Sequence, residues 1–206
     1  VDDREGVRRY DSLRRRAQAR ETRAEIAEAA RRLFLARGWA ATTVSDVARE
    51  AGVSTPTVYS AYGNKTGLAW ALIHAADLSA EPSRMLADLE SSPTPAGQLA
   101  AMAGYDRRLF ERAGDLITLI RDAARTEPDF ADLYRHARHA ADQTRIDVFS
   151  SWPPSTLRPD LTTAVDIYAA LCNIDAYTTL TLERSWHPDR VQQWWSDTLT
   201  RELLDS

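Results

Sequence analysis

The chain has 206 residues, of which 44% are hydrophobic and 27% charged, with a net charge of −4 at pH 7. That balance excludes a disordered chain, and no apolar run approaches the ~20 residues of a membrane span. The charge is uneven: residues 1–70 hold 13 basic and 9 acidic side chains, residues 71–206 hold 13 and 21, and a basic head on an acidic body suits a protein that docks one end onto phosphate.

Residues 1–21 read as a polar arm. Arg14-Arg15-Arg16 and Arg20 are too charged to pack, so the arm is either a solvated tail or a segment that touches DNA phosphates or the minor groove. The spacing predicts a first helix from about Arg23 to Arg37, with Thr22 as N-cap and Glu25 as its capping-box partner. Ile26, Ala30, Leu33 and Phe34 lie on its apolar face, and Gly38 stands at its C-cap. A second short helix is expected over Val44–Ala51, capped by Thr43 with Asp46 completing the box. Gly52 breaks it and Val53 plugs the turn. Ser54 caps a third helix, Thr55–Tyr62, in which Pro56 is tolerated because first-turn N–H groups need no intrahelical partner. Gly63-Asn64 ends that helix, and Asn64 caps a fourth from Lys65 to about Ala80.

Pro82 and Ser91-Ser92-Pro93-Thr94-Pro95 read as loop. Further helices are expected at about 95–112, 115–125 and 128–150. Trp152-Pro153-Pro154 interrupts the chain, and the last two helices span about 160–184 and 188–204, the latter opened by Pro188. No alternating strand pattern occurs. The expected fold is all-α, with about nine helices: a three-helix head over 22–67, a fourth helix from 65 that links the parts, and a helical domain over 68–206.

Thr42 to Ser54 has the grammar of a helix-turn-helix. A short helix stops abruptly, Ala48 allows a close crossing, Gly52 makes the turn, Val53 seals it, and Ser54 starts a helix whose first turn is exposed. Such a pair offers N–H groups and short side chains to a major groove.

Residues 22–70 resemble the DNA-binding domain of the tetracycline-repressor (TetR/AcrR) family. The resemblance rests on Leu33-Phe34 and Gly38, Thr42-Thr43-Val44, Asp46-Val47-Ala48, and Ala51-Gly52-Val53-Ser54. It continues through Thr57-Val58-Tyr59, Tyr62, Asn64-Lys65 and Leu68. It implies a homodimeric transcription regulator, by default a repressor released from a palindromic operator by a small-molecule effector. Thr43, Ser54, Thr55, Thr57, Tyr59, Ser60, Ala61 and Lys65 are then the DNA-contacting candidates, with Tyr59 and Lys65 on phosphates. Tyr62 takes a place where the family most often has phenylalanine packed on the first helix. Pro56, Gly67 and the small pair Ser60-Ala61 depart from the commoner family residues and leave the operator unread. Lys65 is the only lysine in the chain, and at a helix N-terminus its charge is disfavoured unless an anion pairs with it.

The resemblance also assigns the fourth to eighth helices to effector binding and dimerisation. The ending Glu183-Arg184-Ser185-Trp186, Pro188-Asp189-Arg190 and Trp194 resembles a recurring ending within the family. Two acids interrupt apolar stripes: Asp106 among Leu99, Met102 and Leu109, and Asp175 among Tyr168, Cys172 and Thr179. They are either structural partners of an arginine such as Arg121, or pocket acids that meet a cationic or donor-bearing effector. Trp70, His74, Tyr105 and Tyr134 complete the pocket candidates. Cys172 reads first as a small buried hydrophobe. His136 and His139 have the spacing of a metal clip, but beside Arg135 and Arg138 they read as a solvated face, so no metal or cofactor is expected.

The final helix carries Val191, Trp194, Trp195, Thr198, Leu199 and Leu203 on one stripe, and the eighth carries Ile167, Leu171 and Ile174. The expectation is a two-fold interface built on these two helices. No nucleophile motif or glycine-rich phosphate loop points to an enzyme. The alternative is a helical ligand-binding or interaction protein without a DNA role. With no apolar leader segment at Val1-Asp2-Asp3-Arg4, a cytoplasmic protein is expected.

Overall fold

The computed structural model describes residues 3–205, with side chains described for 18–205 other than that of Asp129. The order is α1 (Asp3–Arg37), α2 (Val44–Glu50), α3 (Thr55–Tyr62), α4 (Lys65–Ser79), α5 (Pro82–Ser91), α6 (Pro95–Ala123), α7 (Pro128–Ser150), α8 (Leu161–Leu171) and α9 (Ile174–Thr178). A five-residue π turn (Thr179–Glu183) and α10 (Pro188–Leu203) complete it. There is no strand among the described residues. One isolated bridge, Leu157 to Leu204, ties the loop after α7 to the end of α10, helped by Arg158 N–H on the Leu203 carbonyl at 2.8 Å. The chain forms two compact units, residues 1–72 and 73–206.

In the first unit α1, α2 and α3 close over Ile26, Ala29, Leu33, Phe34, Val47 and Val58, all 6% exposed or less. The caps expected at α2 and α3 are present. α1 begins twenty residues earlier than the pattern predicts, so Thr22 lies inside a helix rather than at its start. The reason is local: from Leu13 to Arg37 the chain is mostly Ala, Arg, Glu, Gln and Leu with no Pro or Gly, all strong helix formers. Helix propensity continues where the apolar face stops. The arm's side chains before Gln18 lie outside the described residues.

The second unit is built around α6, which is buried on several sides and packs on α5, α7, α9 and α10. Four expectations change here. The segment after Pro82 is a helix, α5, with proline at its first turn rather than a loop. The break expected near residue 113 is absent, because Gly114 is a packing site: a Cβ there would stand 3.0 Å from the Ile174 side chain. The helix expected over 160–184 breaks at Cys172, and Asn173 caps a new start by accepting the Ala176 N–H at 2.9 Å.

The fourth change concerns the apolar stripe of the last helix. Val191, Trp195, Leu199 and Leu203 are 0% exposed, Ile174 is 4% and Thr198 7%, and all but Thr198 belong to the unit's own core with Leu99, Met102, Phe149 and Tyr168. They are therefore not free to form a subunit interface. Ile167, Leu171 and Trp194 are only partly buried, at the rim of that core.

Candidate DNA interface and the polar core of the second unit

The α2–α3 joint is fastened by backbone and short side chains. The Thr43 hydroxyl accepts the Asp46 N–H at 3.1 Å, and the Asp46 carboxylate accepts the Thr43 N–H at 3.0 Å and its hydroxyl at 2.6 Å. Those bonds from Thr43, with Arg49 alongside, hold the Asp46 carboxyl down to about 2. α2 then stops at a left-handed Gly52 (φ +67°). The Val53 N–H reaches the Ala48 carbonyl at 2.9 Å and the Gly52 N–H reaches Arg49 at 3.3 Å, the double bond pattern of a Schellman ending. Ser54 starts α3 by accepting the Thr57 N–H at 3.2 Å, with the two hydroxyls 2.7 Å apart.

On α3 only Val58 is fully buried. Tyr59 (50% exposed) and Ser60 stand outward with Ser54 and Pro56, while Thr55, Thr57 and Ala61 are half-buried beside them; Thr43 is exposed. Tyr62 turns inward, and its hydroxyl donates to the Arg23 carbonyl of α1 at 2.8 Å. The extra oxygen over phenylalanine is thus used as a bolt between α3 and α1. Lys65 is half-buried: its ammonium donates to the Trp39 carbonyl at 2.6 Å and lies 3.9 Å from the centroid of the Trp39 ring. This answers how a cation is tolerated at the first turn of α4.

Gly67 has a steric reason. It lies in the first turn of α4, where its N–H donates to the Asn64 side chain at 2.7 Å, and a Cβ on it would run into the Tyr62 carbonyl oxygen. Glycine to alanine inside a helix normally stabilises by about 0.5–1 kcal/mol. Here Gly67→Ala is expected to reverse that sign and cost about 1–3 kcal/mol, because backbone must move. Thermal unfolding followed by circular dichroism checks it, and an unchanged or raised midpoint would refute the steric account.

The pocket candidates scatter. Trp70 (44% exposed) and His74 lie outward on α4, and Leu109 and Tyr134 are half-buried. The Tyr105 hydroxyl donates to Asp77 on α4, and burial, with Asp77, pushes its pKa far up. Asp175 takes the structural alternative and not the pocket one: its carboxylate is 72% exposed and paired with Arg121. The Asn173 restart shifts the helical register, which takes Asp175 off the inward face of α8.

Met102, Asp106, Tyr168 and Cys172 do come together. Asp106 is 8% exposed and lies 3.9 Å from the guanidinium of Arg145, which also reaches Asp142 at 2.6 Å and sits 4.7 Å from the Tyr168 ring centroid. Burial pushes the Asp106 carboxyl up, and Arg145 opposes that. Burial likewise raises the Cys172 thiol, which keeps it protonated. The buried Tyr168 hydroxyl has no hydrogen bond of good geometry. Periodicity alone does not single out Arg145 among the arginines of α7. The available signal is its place four residues before the buried Phe149, on the apolar face of α7.

A second group on α6 grips the end of α4. Arg108, 4% exposed, donates to the Ala80 carbonyl at 2.9 Å; Arg112 donates to the Ser79 carbonyl and pairs with Glu81 at 2.9 Å. Glu81 itself is left-handed (φ +62°). Cations at helix carbonyl ends are favoured by the helix dipole. His136 and His139 are exposed on α7, where Arg135 takes the Asp132 carboxylate at 2.8 Å.

Residues 26–72 match the family described as bacterial regulatory proteins, tetR family. The chain is similar to the HTH-type transcriptional regulator TtgR of Pseudomonas putida, 47% identical over 60 residues, which cover 29% of each chain. It is also similar to the HTH-type transcriptional regulator AlkX of Mycobacterium tuberculosis, 49% identical over 47 residues, 23% of this chain and 22% of that one. The chain thus matches less than a third of the length of these curated relatives. In fold it is similar to NalD, the secondary repressor of the MexAB-OprM multidrug efflux pump in Pseudomonas aeruginosa. That likeness has a TM-score of 0.74 at 21% identity, covering 92% of this chain and 99% of that one. The ketosteroid transcriptional regulator KstR2 of Mycobacterium tuberculosis gives a TM-score of 0.61 at 19% identity, covering 89% and 95%. No described helix is long and apolar enough to cross a membrane.

Proposed function

We propose that this chain, which through residues 26–72 belongs to the tetR family of bacterial regulatory proteins, is a DNA-binding transcription regulator that works in the cytoplasm. It binds a two-fold operator as a homodimer and represses until a small effector enters the second unit. The observation that carries this is the α2–α3 joint: a Schellman stop, a Ser54 cap and an outward face of Ser54, Tyr59 and Ser60 with Thr43 beside it. These short hydroxyl-bearing side chains suit phosphate and base-edge contact, and the Ala61 methyl suits a thymine. One such helix reads only a few base pairs, so two half-sites about 34 Å apart require a pair. Ile167, Leu171 and Trp194 are the apolar residues left for that pairing. The buried Asp106–Arg145–Tyr168 group is the candidate polar element of the effector site.

The test is fluorescence anisotropy on a duplex from the chain's own upstream region and on a random duplex, across a salt series. Binding should be salt-dependent and favour the operator. Lys65→Ala should weaken both duplexes alike and flatten the slope of log K against log salt by about one phosphate contact, whereas Tyr59→Ala should weaken both with the slope unchanged, because its hydroxyl carries no charge. Binding without salt dependence, or variants identical to the parent, would remove the reading.

A further inference from the structure

We infer that Trp39 is a positioning residue for DNA binding: it holds the Lys65 ammonium in place for a backbone phosphate. The inference rests on the DNA-binding reading above, in which Lys65 meets phosphate, and adds a residue that no part of that reading uses. Trp39 lies in the turn between α1 and α2, and Lys65 opens α4. The ammonium donates to the Trp39 carbonyl at 2.6 Å and lies 3.9 Å from the centroid of its ring. A lysine side chain is a flexible stem that normally gives up its freedom only when an anion arrives. Here an indole face and a carbonyl fix it beforehand. An aromatic face attracts a cation without neutralising it. Lys65 is only half-buried, so an anion still reaches its charge.

The seat itself is rigid. The Trp39 ring packs on Phe34, 1% exposed, with centroids 4.9 Å apart. Gly38 turns the chain at φ +78°, and the buried Thr42 hydroxyl donates to the carbonyls of Leu33 at 3.2 Å and Gly38 at 2.9 Å. The Trp39 carbonyl accepts the Thr42 N–H at 3.1 Å as well as the Lys65 ammonium. One carbonyl therefore ties the residue before Thr43, the cap of α2, to the first turn of α4. Two DNA-contact candidates, Thr43 and Lys65, are thus set by a single turn. The helix dipole opposes a cation at the first turn of α4, so without this seat the side chain would swing away from it. A donor held in advance binds more tightly than a mobile one, because less freedom is lost on contact.

The experiment measures binding of the full chain to the upstream operator and to a random duplex over a salt series. The proteins are the parent, Trp39→Leu, Trp39→Phe, Lys65→Ala, and Trp39→Leu combined with Lys65→Ala, each checked by circular dichroism. Leucine keeps an apolar side chain against Phe34 but offers no ring face. Trp39→Leu should weaken both duplexes about three- to tenfold with the log–log salt slope unchanged, since the charge stays. Trp39→Phe should recover most of that loss. In the Lys65→Ala background, Trp39→Leu should cost less than about twofold. An equal loss in both backgrounds overturns the inference, because Trp39 would then act on the fold alone. So does a gain in affinity, which would make the indole a restraint on Lys65. A second readout needs no variant. Lys65 is the only lysine, so isotope-labelled lysine gives one set of side-chain NMR signals. They should lie upfield of free lysine through the indole ring current and stay there in the operator complex. Unshifted signals, or a shift lost on DNA, overturn the inference. A parent that binds random DNA with no operator preference, while the Trp39 loss still depends on Lys65, would keep the role of Trp39 and remove the regulator reading. A parent that binds no duplex overturns both.

Discussion

Arg145→Met is expected to destabilise the second unit by about 3–5 kcal/mol, the cost of leaving a buried carboxylate without its partner. Asp106 is 8% exposed and Arg145 5%, so water cannot replace the lost guanidinium. The same change removes the cation over the Tyr168 ring. Replacing both members, Asp106→Leu with Arg145→Met, should recover most of the loss, because an apolar pair of similar volume removes both desolvation penalties. The pH dependence has a definite sign. The Asp106 carboxyl is already raised by burial, with Arg145 pulling it down. Without Arg145 it rises further, so the folded state binds its proton more strongly than the unfolded one over a wider range. The deficit against the parent should be largest near neutral pH and shrink as pH falls toward the ordinary carboxylate range. Urea unfolding at several pH values measures it, and a deficit that stays constant or grows on acidification would contradict the assignment.

The second large effect is expected from Leu199→Glu with Leu203→Glu. Both side chains are 0% exposed and lie in the core with Val191 and Trp195. Each loses a leucine's burial, roughly 2–5 kcal/mol, and gains a carboxylate with no partner. Together these exceed the ~5–15 kcal/mol that holds a typical domain. The expected result is loss of cooperative melting and of helical signal from the second unit, rather than a folded half-mass species. Sedimentation and circular dichroism on the same sample distinguish the two. A monomer that melts like the parent would return these leucines to a subunit interface.

The contrast between the two units explains what was legible in the sequence. The head is written in local signals. Thr43, Asp46, Ser54, Gly38 and Gly52 act within a few residues of themselves, and the elements they delimit appear where the pattern puts them. The second unit depends on contacts distant in sequence. Periodicity shows that Val191, Trp195, Leu199 and Leu203 share a face, but not whether α6 of the same chain or another copy covers it. The inward stripe that includes Asp175 holds only if the helix is continuous, and the Asn173 cap that breaks it is a single polar residue within an unbroken apolar periodicity. Arg145 could not be paired with Asp106 from spacing alone, because 39 residues and a turn separate them. α1 shows the opposite case: its apolar periodicity begins near Ile26, while the helix itself begins at Asp3.

The hold of Trp39 on Lys65 has a practical consequence for chemistry on the intact protein. Amine-acylating reagents find one lysine in the whole sequence, and its ammonium is bound to a carbonyl and covered by an indole. Such reagents attack only a free, neutral amine. Acylation of this side chain therefore requires the contacts between the loop after α1 and the first turn of α4 to open. The mass of the peptide that holds Lys65 therefore reports the breathing of the head.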